Sequence, residues 1–206
     1  MQSSNNDYAI SYQKATLTVN PAPVTVNAPS ATRQYGTANT TFMPTYSGLQ
    51  NGQTALPSAP SCTSTANATS APGTYPIHCA ATGANPNYAV TFGADGTLTV
   101  TKANTVITQT PVSVIGTVLA FQVRYTAVLK SASGQSLSGE TVTFSTTNSS
   151  LGNASCTAVT DATGTATCTS GLLTILSVVV SGNTTAAFAG DSNYNATSNT
   201  TAFSLT

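Results

Sequence analysis

The four cysteines fall into two close pairs in the sequence, Cys62 with Cys79 and Cys156 with Cys168. Four cysteines permit three connectivities, and pairing within each close pair is the arrangement that does not join two separate domains. A disulfide that closes a loop of this size contributes about 3 kcal/mol, which is useful to a small domain. Structural zinc is not expected, because the sequence has no Cys-x-x-Cys and a single histidine. We therefore predict two local disulfides and an oxidising, extracytoplasmic setting.

The other groups that could do chemistry are few and scattered. His78 lies beside Cys79, but neighbouring residues of a strand point to opposite faces. An acid–base or nucleophilic site needs a paired carboxylate, a histidine or an activated nucleophile. No GxSxG, GxGxxG or Walker loop is present, so we predict no enzyme activity, no cofactor and no metal site. Calcium at a domain junction is the alternative, with backbone carbonyls completing its ligands. The carboxylates lie in separate turns, at Asp7, Asp95, Glu140, Asp161 and Asp191.

The composition indicates a neutral, β-rich protein. Five basic and five acidic side chains make up 5% of the 206 residues, against roughly 25% in an average soluble chain. A chain without a basic face has little affinity for phosphate backbones, so nucleic-acid binding is not expected. No run reaches the roughly 20 apolar residues of a membrane span, and we predict no membrane insertion. Abundant Thr, Ser, Asn and Val favour strands and turns over helices.

Two stretches repeat one pattern. Residues 83–100 read GANPNYAVTFGADGTLTV, and residues 5–19 read NNDYAISYQKATLTV. Such a period predicts small domains joined in tandem. We predict a strand pair over 7–12 and 15–19 from an incomplete repeat, and a hairpin at Asp95-Gly96 in the complete one. The incomplete repeat exposes an unpaired strand edge, and these residues are its candidate strand-donor segment: Tyr8, Ile10, Tyr12, Leu17 and Val19.

The start of the chain has no basic or hydrophobic region, so a signal peptide is not expected. Half a repeat directly after Met1 favours a piece of a longer protein. We predict an incomplete repeat and linker over 1–20, a first domain over 21–103 and a second over 104–206. In the first domain the segments YGTANTTFMPTYSGLQNGQT, APGTYPIHCAATGANPNYAVTF and GTLTVTKA resemble the MBG module of bacterial surface adhesins. The resemblance implies a β-grasp-like fold with a short helix near Gln50; periodicity alone does not distinguish this from a small sandwich.

The second domain carries GETVTF, CTAVTDATGTATC and FAGDSNYNATS, which resemble a bacterial Ig-like repeat of surface proteins. The resemblance implies an Ig-like β-sandwich, and turn residues every few positions agree with it. The segment GLLTILSVVVSGN is more apolar than such a repeat normally is. We predict strands over 105–109, 118–129, 155–159 and 174–180, among others, in this domain. In the first domain the predicted strands include 62–69 and 88–92.

Sequons of the form N-x-[ST] are frequent and would allow a glycan coat that solubilises a chain with little charge. The chain has no Trp and eight Tyr, of which Tyr46 and Tyr125 are the ones that we predict to be exposed. The candidate glycosylation sites are Asn39, Asn67, Asn148, Asn153, Asn183, Asn195 and Asn199.

Three functional hypotheses follow. The first is an extracellular structural module of a bacterial surface adhesin, stalk or fibre. The second is a filament subunit that polymerises head to tail by donating its amino-terminal strands to a neighbour, so that its partner is a second copy of itself. The third is an adhesive module that binds a host or matrix glycan, which would require exposed aromatic side chains on one face.

Overall fold

The computed structural model describes residues 11–117, 120–147, 154–171 and 180–205. Within these residues the chain is β throughout and contains no helix, as its β-branched and turn-forming composition predicts. The mainly β tandem fold is thereby confirmed, and no helix of the described part has the length and apolar character to cross a membrane. The strands are β1 Ala22–Asn27, β2 Ala31–Gln34, β3 Thr45–Ser47, β4 Ser61–Thr63, β5 Gly73–Ala80, β6 Tyr88–Phe92, β7 Gly96–Thr101, β8 Thr105–Gln109, β9 Ser113–Thr117, β10 Ala120–Ser131, β11 Thr141–Thr147, β12 Ser155–Val159, β13 Thr165–Thr169, β14 Val180–Phe188 and β15 Thr197–Leu205.

Strands β1–β7 form two sheets around one core, and we call this part module 1. One sheet has the order β3-β1-β6 and the other β2-β7-β5-β4. The β1–β6 and β2–β7 pairs are parallel and the others antiparallel. Alternate residues of both sheets point inward, including Val24 of β1, Ile77 of β5 and Leu98 of β7. Two packed sheets without a helix correspond to the small-sandwich alternative.

The helix expected near Gln50 does not form. The chain makes a turn there, with positive φ angles of 99° at Gly48, 56° at Asn51 and 70° at Gly52. A right-handed helix needs φ near −60° at successive residues, so these left-handed positions exclude it.

The hairpin predicted at Asp95-Gly96 is also wrong, because β6 and β7 lie in different sheets. The Gly93 amide donates to the Val26 carbonyl over 2.9 Å as the chain leaves β6. At Gly96 a Cβ would overlap the carbonyl of Pro29. The glycines therefore allow the chain to cross from one sheet to the other at a point where its backbone passes close to the β1–β2 connection.

The predicted amino-terminal strand pair is not seen in the described residues. Residues 11–20 belong to no strand, so the strand predicted over 15–19 is absent; no neighbouring strand pairs with its backbone. Tyr8 and Ile10 lie outside the described residues. The domain boundaries at 20/21 and 103/104 stay predictions.

Strands β8–β15 form a second pair of sheets, which we call module 2. One has the order β13-β10-β8, with β9 also paired to β10, and the other β12-β11-β14-β15. The core between them contains Phe121, Val123, Tyr125, Val142 and Phe144, each at most 1% exposed. The long strand β10 pairs with β9 through its first half and with β8 through its second.

One strand of module 2 is not predicted by the sequence, and one predicted strand lies largely outside the described residues. The sequence does not predict β9, which is a separate short strand placed only by its pairing with β10. The strand predicted over 174–180 lies outside the described residues except for Val180, which begins β14.

Candidate functional site

Both predicted disulfides are confirmed, and no cysteine is free. Cys62 of β4 and Cys79 of β5 are direct cross-strand partners with Cα atoms 4.0 Å apart. Cys156 of β12 and Cys168 of β13 lie in opposite sheets, 6.1 Å apart. The first disulfide therefore staples one sheet and the second joins the two faces of a sandwich.

His78 is exposed and does not approach a nucleophile. Its Nδ1 lies 2.8 Å from Asp95 Oδ1, with both side chains at least half exposed. Asp161 accepts hydrogen bonds from the Thr163 hydroxyl and from the Thr163 and Thr165 amides. These bonds lower the pKa of Asp161, and the bond from the Thr163 hydroxyl has the largest effect. Among the described residues no three His, Cys, Asp or Glu side chains come together as metal ligands.

The prediction that Tyr125 is exposed is wrong. Its ring stacks on Phe144 with centroids 5.6 Å apart, and its hydroxyl forms a hydrogen bond with that of Thr146. Burial raises the pKa of the Tyr125 phenol, and the Thr146 bond partly opposes this. Tyr46 is half-buried against the core of module 1. Tyr125 therefore offers no ring face for sugar stacking, and glycan binding stays a prediction.

The sequon residues differ in how their side chains are engaged. Asn39 is half-buried; its oxygen accepts from Arg33 Nε over 2.6 Å and its amide donates to the Ala66 carbonyl over 2.7 Å. Asn67 is exposed, and its side-chain oxygen accepts from the Thr69 amide and hydroxyl. This local turn also ends the strand predicted over 62–69, because β4 stops at Thr63.

The other sequons are less accessible or lie outside the description. Asn183 and Asn199 are half-buried within β14 and β15. Asn195 is exposed, but its amide donates to Asn104 Oδ1 over 2.8 Å. The structure does not describe Asn148 and Asn153.

Arg33 is a structural residue that sequence reasoning missed. The side chain is 8% exposed and donates to the side chain of Asn39 and to the carbonyls of Gln34 and Asn67. It thereby ties β2 to two loops of module 1. All three acceptors are neutral oxygens and none is a carboxylate, so the sequence contains no acidic partner that would have indicated a buried arginine here.

Several hydrogen bonds hold the connection between the modules. The linker between β7 and β8 consists of residues 102–104. Ala103 makes a parallel bridge to Tyr194: its amide donates to the Asn193 carbonyl, and its carbonyl accepts from the Asn195 amide, both over 2.9 Å. Ala103 is 4% exposed. The linker is thus paired as a short strand with module 2.

Side chains on either side of Ala103 add to this pairing. Lys102 Nζ donates to the Asp191 carbonyl. The Asn195 side-chain amide donates to Asn104 Oδ1 over 2.8 Å, and the Thr105 hydroxyl donates to the Asn195 carbonyl over 2.8 Å. Each linker residue is therefore held by a hydrogen bond to the β14–β15 connection.

That connection, residues 189–196, is here called the junction loop. Asp191 Oδ1 accepts from the Asn193 and Tyr194 amides over 2.7 Å each. Gly190 has φ 79°, and a Cβ there would meet the Ala196 amide at 2.8 Å. An aspartate turn and an obligatory glycine thus give the loop its shape from within module 2.

A pair of tyrosines joins the two cores across the junction. The rings of Tyr35 and Tyr194 meet edge to face with centroids 5.5 Å apart, and each packs against the core of its own module. The pKa of Tyr194 is raised, mainly by burial and then by the phenol of Tyr35 and the carboxylates of Asp191 and Glu140. Burial, then Asp191, also raise the pKa of Glu140.

Tyr35 lies in the Tyr-Gly turn that follows β2. Residues 24–99 match the family model described as the MBG domain (YGX type). The match supports an MBG module. It extends from β1 into β7, so it covers nearly all of module 1 and none of module 2. The MBG domain is a family of surface-associated bacterial proteins. Neither the curated proteins nor the solved structures include a match to the chain.

Proposed function

We propose that this chain is an extracellular structural segment of a bacterial surface adhesin, stalk or fibre, without catalytic activity. The observation that carries the proposal is the tandem of two β modules, each with its own core and its own disulfide. The MBG match supports a surface-associated protein, and the disulfides support a non-reducing environment. Under this proposal module 2 is an Ig-like spacer.

Surface location is tested on intact cells of the source organism. Antibodies raised against the purified chain should label unpermeabilised cells, and mild trypsin treatment of those cells should release peptides of both modules. The native protein should resist thiol alkylation unless it is first reduced, since all four cysteines are paired. Recovery from the cytosol with four alkylated cysteines would contradict the proposal.

A second proposal is a head-to-tail filament formed through the amino-terminal segment. In the repeat, Leu17 and Val19 correspond to Leu98 and Val100 of β7. Those core residues are 1% and 2% exposed, whereas Leu17 and Val19 are 87% and 83% exposed. Apolar side chains at positions that the repeat uses for its core favour coverage by a partner, and here the partner is a second copy.

Electron microscopy of the purified chain distinguishes the two proposals. Filaments that disappear when residues 1–20 are deleted would support strand donation. A matched variant, Leu17→Ser with Val19→Ser, should lose filaments to the same extent without shortening the chain. Filaments that persist in both variants would exclude the amino-terminal segment as the donor.

We also propose that glycosylation, where it occurs, modifies Asn67 first. Asn67 is exposed, and the hydrogen bonds of its side chain with Thr69 are made by the oxygen, whereas Asn39 uses both ends of its amide. The intact mass of native protein should exceed the sequence mass, and peptide mapping should find the addition at Asn67. An unmodified mass, or modification at Asn39 alone, would contradict this.

A further inference from the structure

We infer that the end of module 1 around Tyr35 is a docking surface for the junction loop, and that the docked loop holds the two modules as one unit without a hinge. Domains joined by a short linker normally move relative to each other unless their interface restrains them. Here the restraint is specific: a backbone bridge at Ala103 and an aromatic pair between Tyr35 and Tyr194.

The backbone bonds of the linker leave Lys102 as its candidate pivot. A hinge residue must change its φ and ψ angles freely, which requires that its backbone groups be unpaired or solvated. The Ala103 amide and carbonyl are both bonded to the junction loop. On the side of module 1, the Thr101 carbonyl accepts from the Tyr35 amide over 2.8 Å. Rotation at Lys102 would leave these backbone bonds intact, because the Ala103 bonds lie on the side of module 2 and the Thr101 bond lies within module 1. It would separate Tyr35 from Tyr194 and Lys102 Nζ from the Asp191 carbonyl, so these two contacts are what opposes a hinge there.

The junction loop is shaped before it docks. Its turn is fixed by Asp191 and Gly190, which contact only residues of the same loop in forming it. A preorganised loop loses little conformational entropy when it contacts a partner, so a small interface suffices to hold it. Tyr194 is the side chain through which the junction loop contacts module 1, and Tyr35 is the residue that it contacts there.

Docking of the junction loop is a property of the purified chain and does not depend on its cellular location. Cell-surface labelling tests the proposed function, whereas amide hydrogen exchange on the purified full chain tests the docking. A flexible stalk would therefore satisfy the first experiment and fail the second.

Amide exchange measured by NMR gives the sharpest test. In the wild type the amides of Ala103 and Asn195 should be protected. Tyr194→Ala and, from the other module, Tyr35→Ala should each raise their exchange rates about tenfold, the factor expected from losing an edge-to-face aromatic pair with its buried area. The Leu129 amide, which donates to Gly164 within module 2, should not change. Small-angle scattering should show a broader range of end-to-end distances in both variants.

Tyr75→Ala is the matched control. Tyr75 also packs against the core of module 1, but its hydroxyl donates to Ala71 and its ring has no part in the junction. It should leave the Ala103 and Asn195 rates unchanged. Free exchange of these amides in the wild type, or no response to either junction variant, would overturn the inference. So would an equal rise at Leu129 in both variants, because that would report loss of module 2 and not release of a docked loop.

Discussion

The buried hydrogen bond between Tyr125 and Thr146 predicts a larger loss of stability in either single variant than in the double variant. Both residues are 1% exposed, and each hydroxyl is the other's partner. Tyr125→Phe keeps the ring that stacks on Phe144 and removes only the phenol oxygen. Thr146→Val keeps the branched shape and removes only the hydroxyl. Each single variant therefore leaves one polar atom buried without a partner.

The magnitude follows from that orphaned atom. A buried hydroxyl that loses its hydrogen bond costs about 1–3 kcal/mol, whereas replacing both partners by apolar groups of the same shape is nearly neutral. We expect each single variant to lower the free energy of unfolding of module 2 by about 2 kcal/mol. The double variant should lower it by about 1 kcal/mol or less. In a domain of this size, 2 kcal/mol corresponds to a fall in Tm of about 10 °C.

Differential scanning calorimetry of the wild type, the two single variants and the double variant measures these differences. The double variant should melt above both singles. Far-ultraviolet circular dichroism during urea unfolding provides a second measure, since unchanged m values would show that the unfolded states are comparable. Additive losses, with the double variant the least stable, would refute the argument that an unpaired buried hydroxyl carries the cost.

Three further predictions concern single features of the modules. Arg33→Ala should destabilise module 1 by about 3 kcal/mol because three part-buried acceptors lose their donor. Arg124→Ala, at an exposed site, should stay within about 0.5 kcal/mol, and equal effects of the two variants in urea titrations would contradict this. Replacing Cys62 and Cys79 by Ala should cost about 3 kcal/mol, the loop-closure value for their separation, and an unchanged urea midpoint would argue against it. The lowered pKa of Asp161 means that its contribution is present above its ordinary pKa and is lost as pH falls through the folded-state value. Asp161→Asn should therefore weaken the acid dependence of Tm below about pH 4, and an identical pH profile would exclude this contribution.

The sequence predicts those strands best whose signal is local. The strands over 88–92, 105–109 and 155–159 are predicted with the bounds that the structure has. In each of these strands, alternating apolar or β-branched residues are bounded by turn-forming residues, and this local pattern is enough to predict the strand. The disulfide pairing is equally local, because the paired cysteines are 17 and 12 positions apart.

The errors occur where a distant segment competes with local preference. Asp95-Gly96 has the sequence of a hairpin turn, yet β6 pairs with β1 and β7 with β2 and β5. Tyr125 has a polar hydroxyl that favours exposure, yet Thr146 satisfies it inside the core. Arg33 likewise finds its acceptors in loops that the sequence does not place beside it.

By itself the sequence determined the strand-rich fold, the tandem organisation, the disulfides and the resemblance to an MBG module, because composition, periodicity and spacing are properties of neighbouring residues. Only the tertiary structure decided which strands share a sheet, which tyrosines are buried and how the modules meet. Ala103 and Tyr194 are 91 positions apart, and their pairing depends on both cores being folded. A contact of that range leaves no pattern in a single chain, since either residue alone fits an ordinary loop.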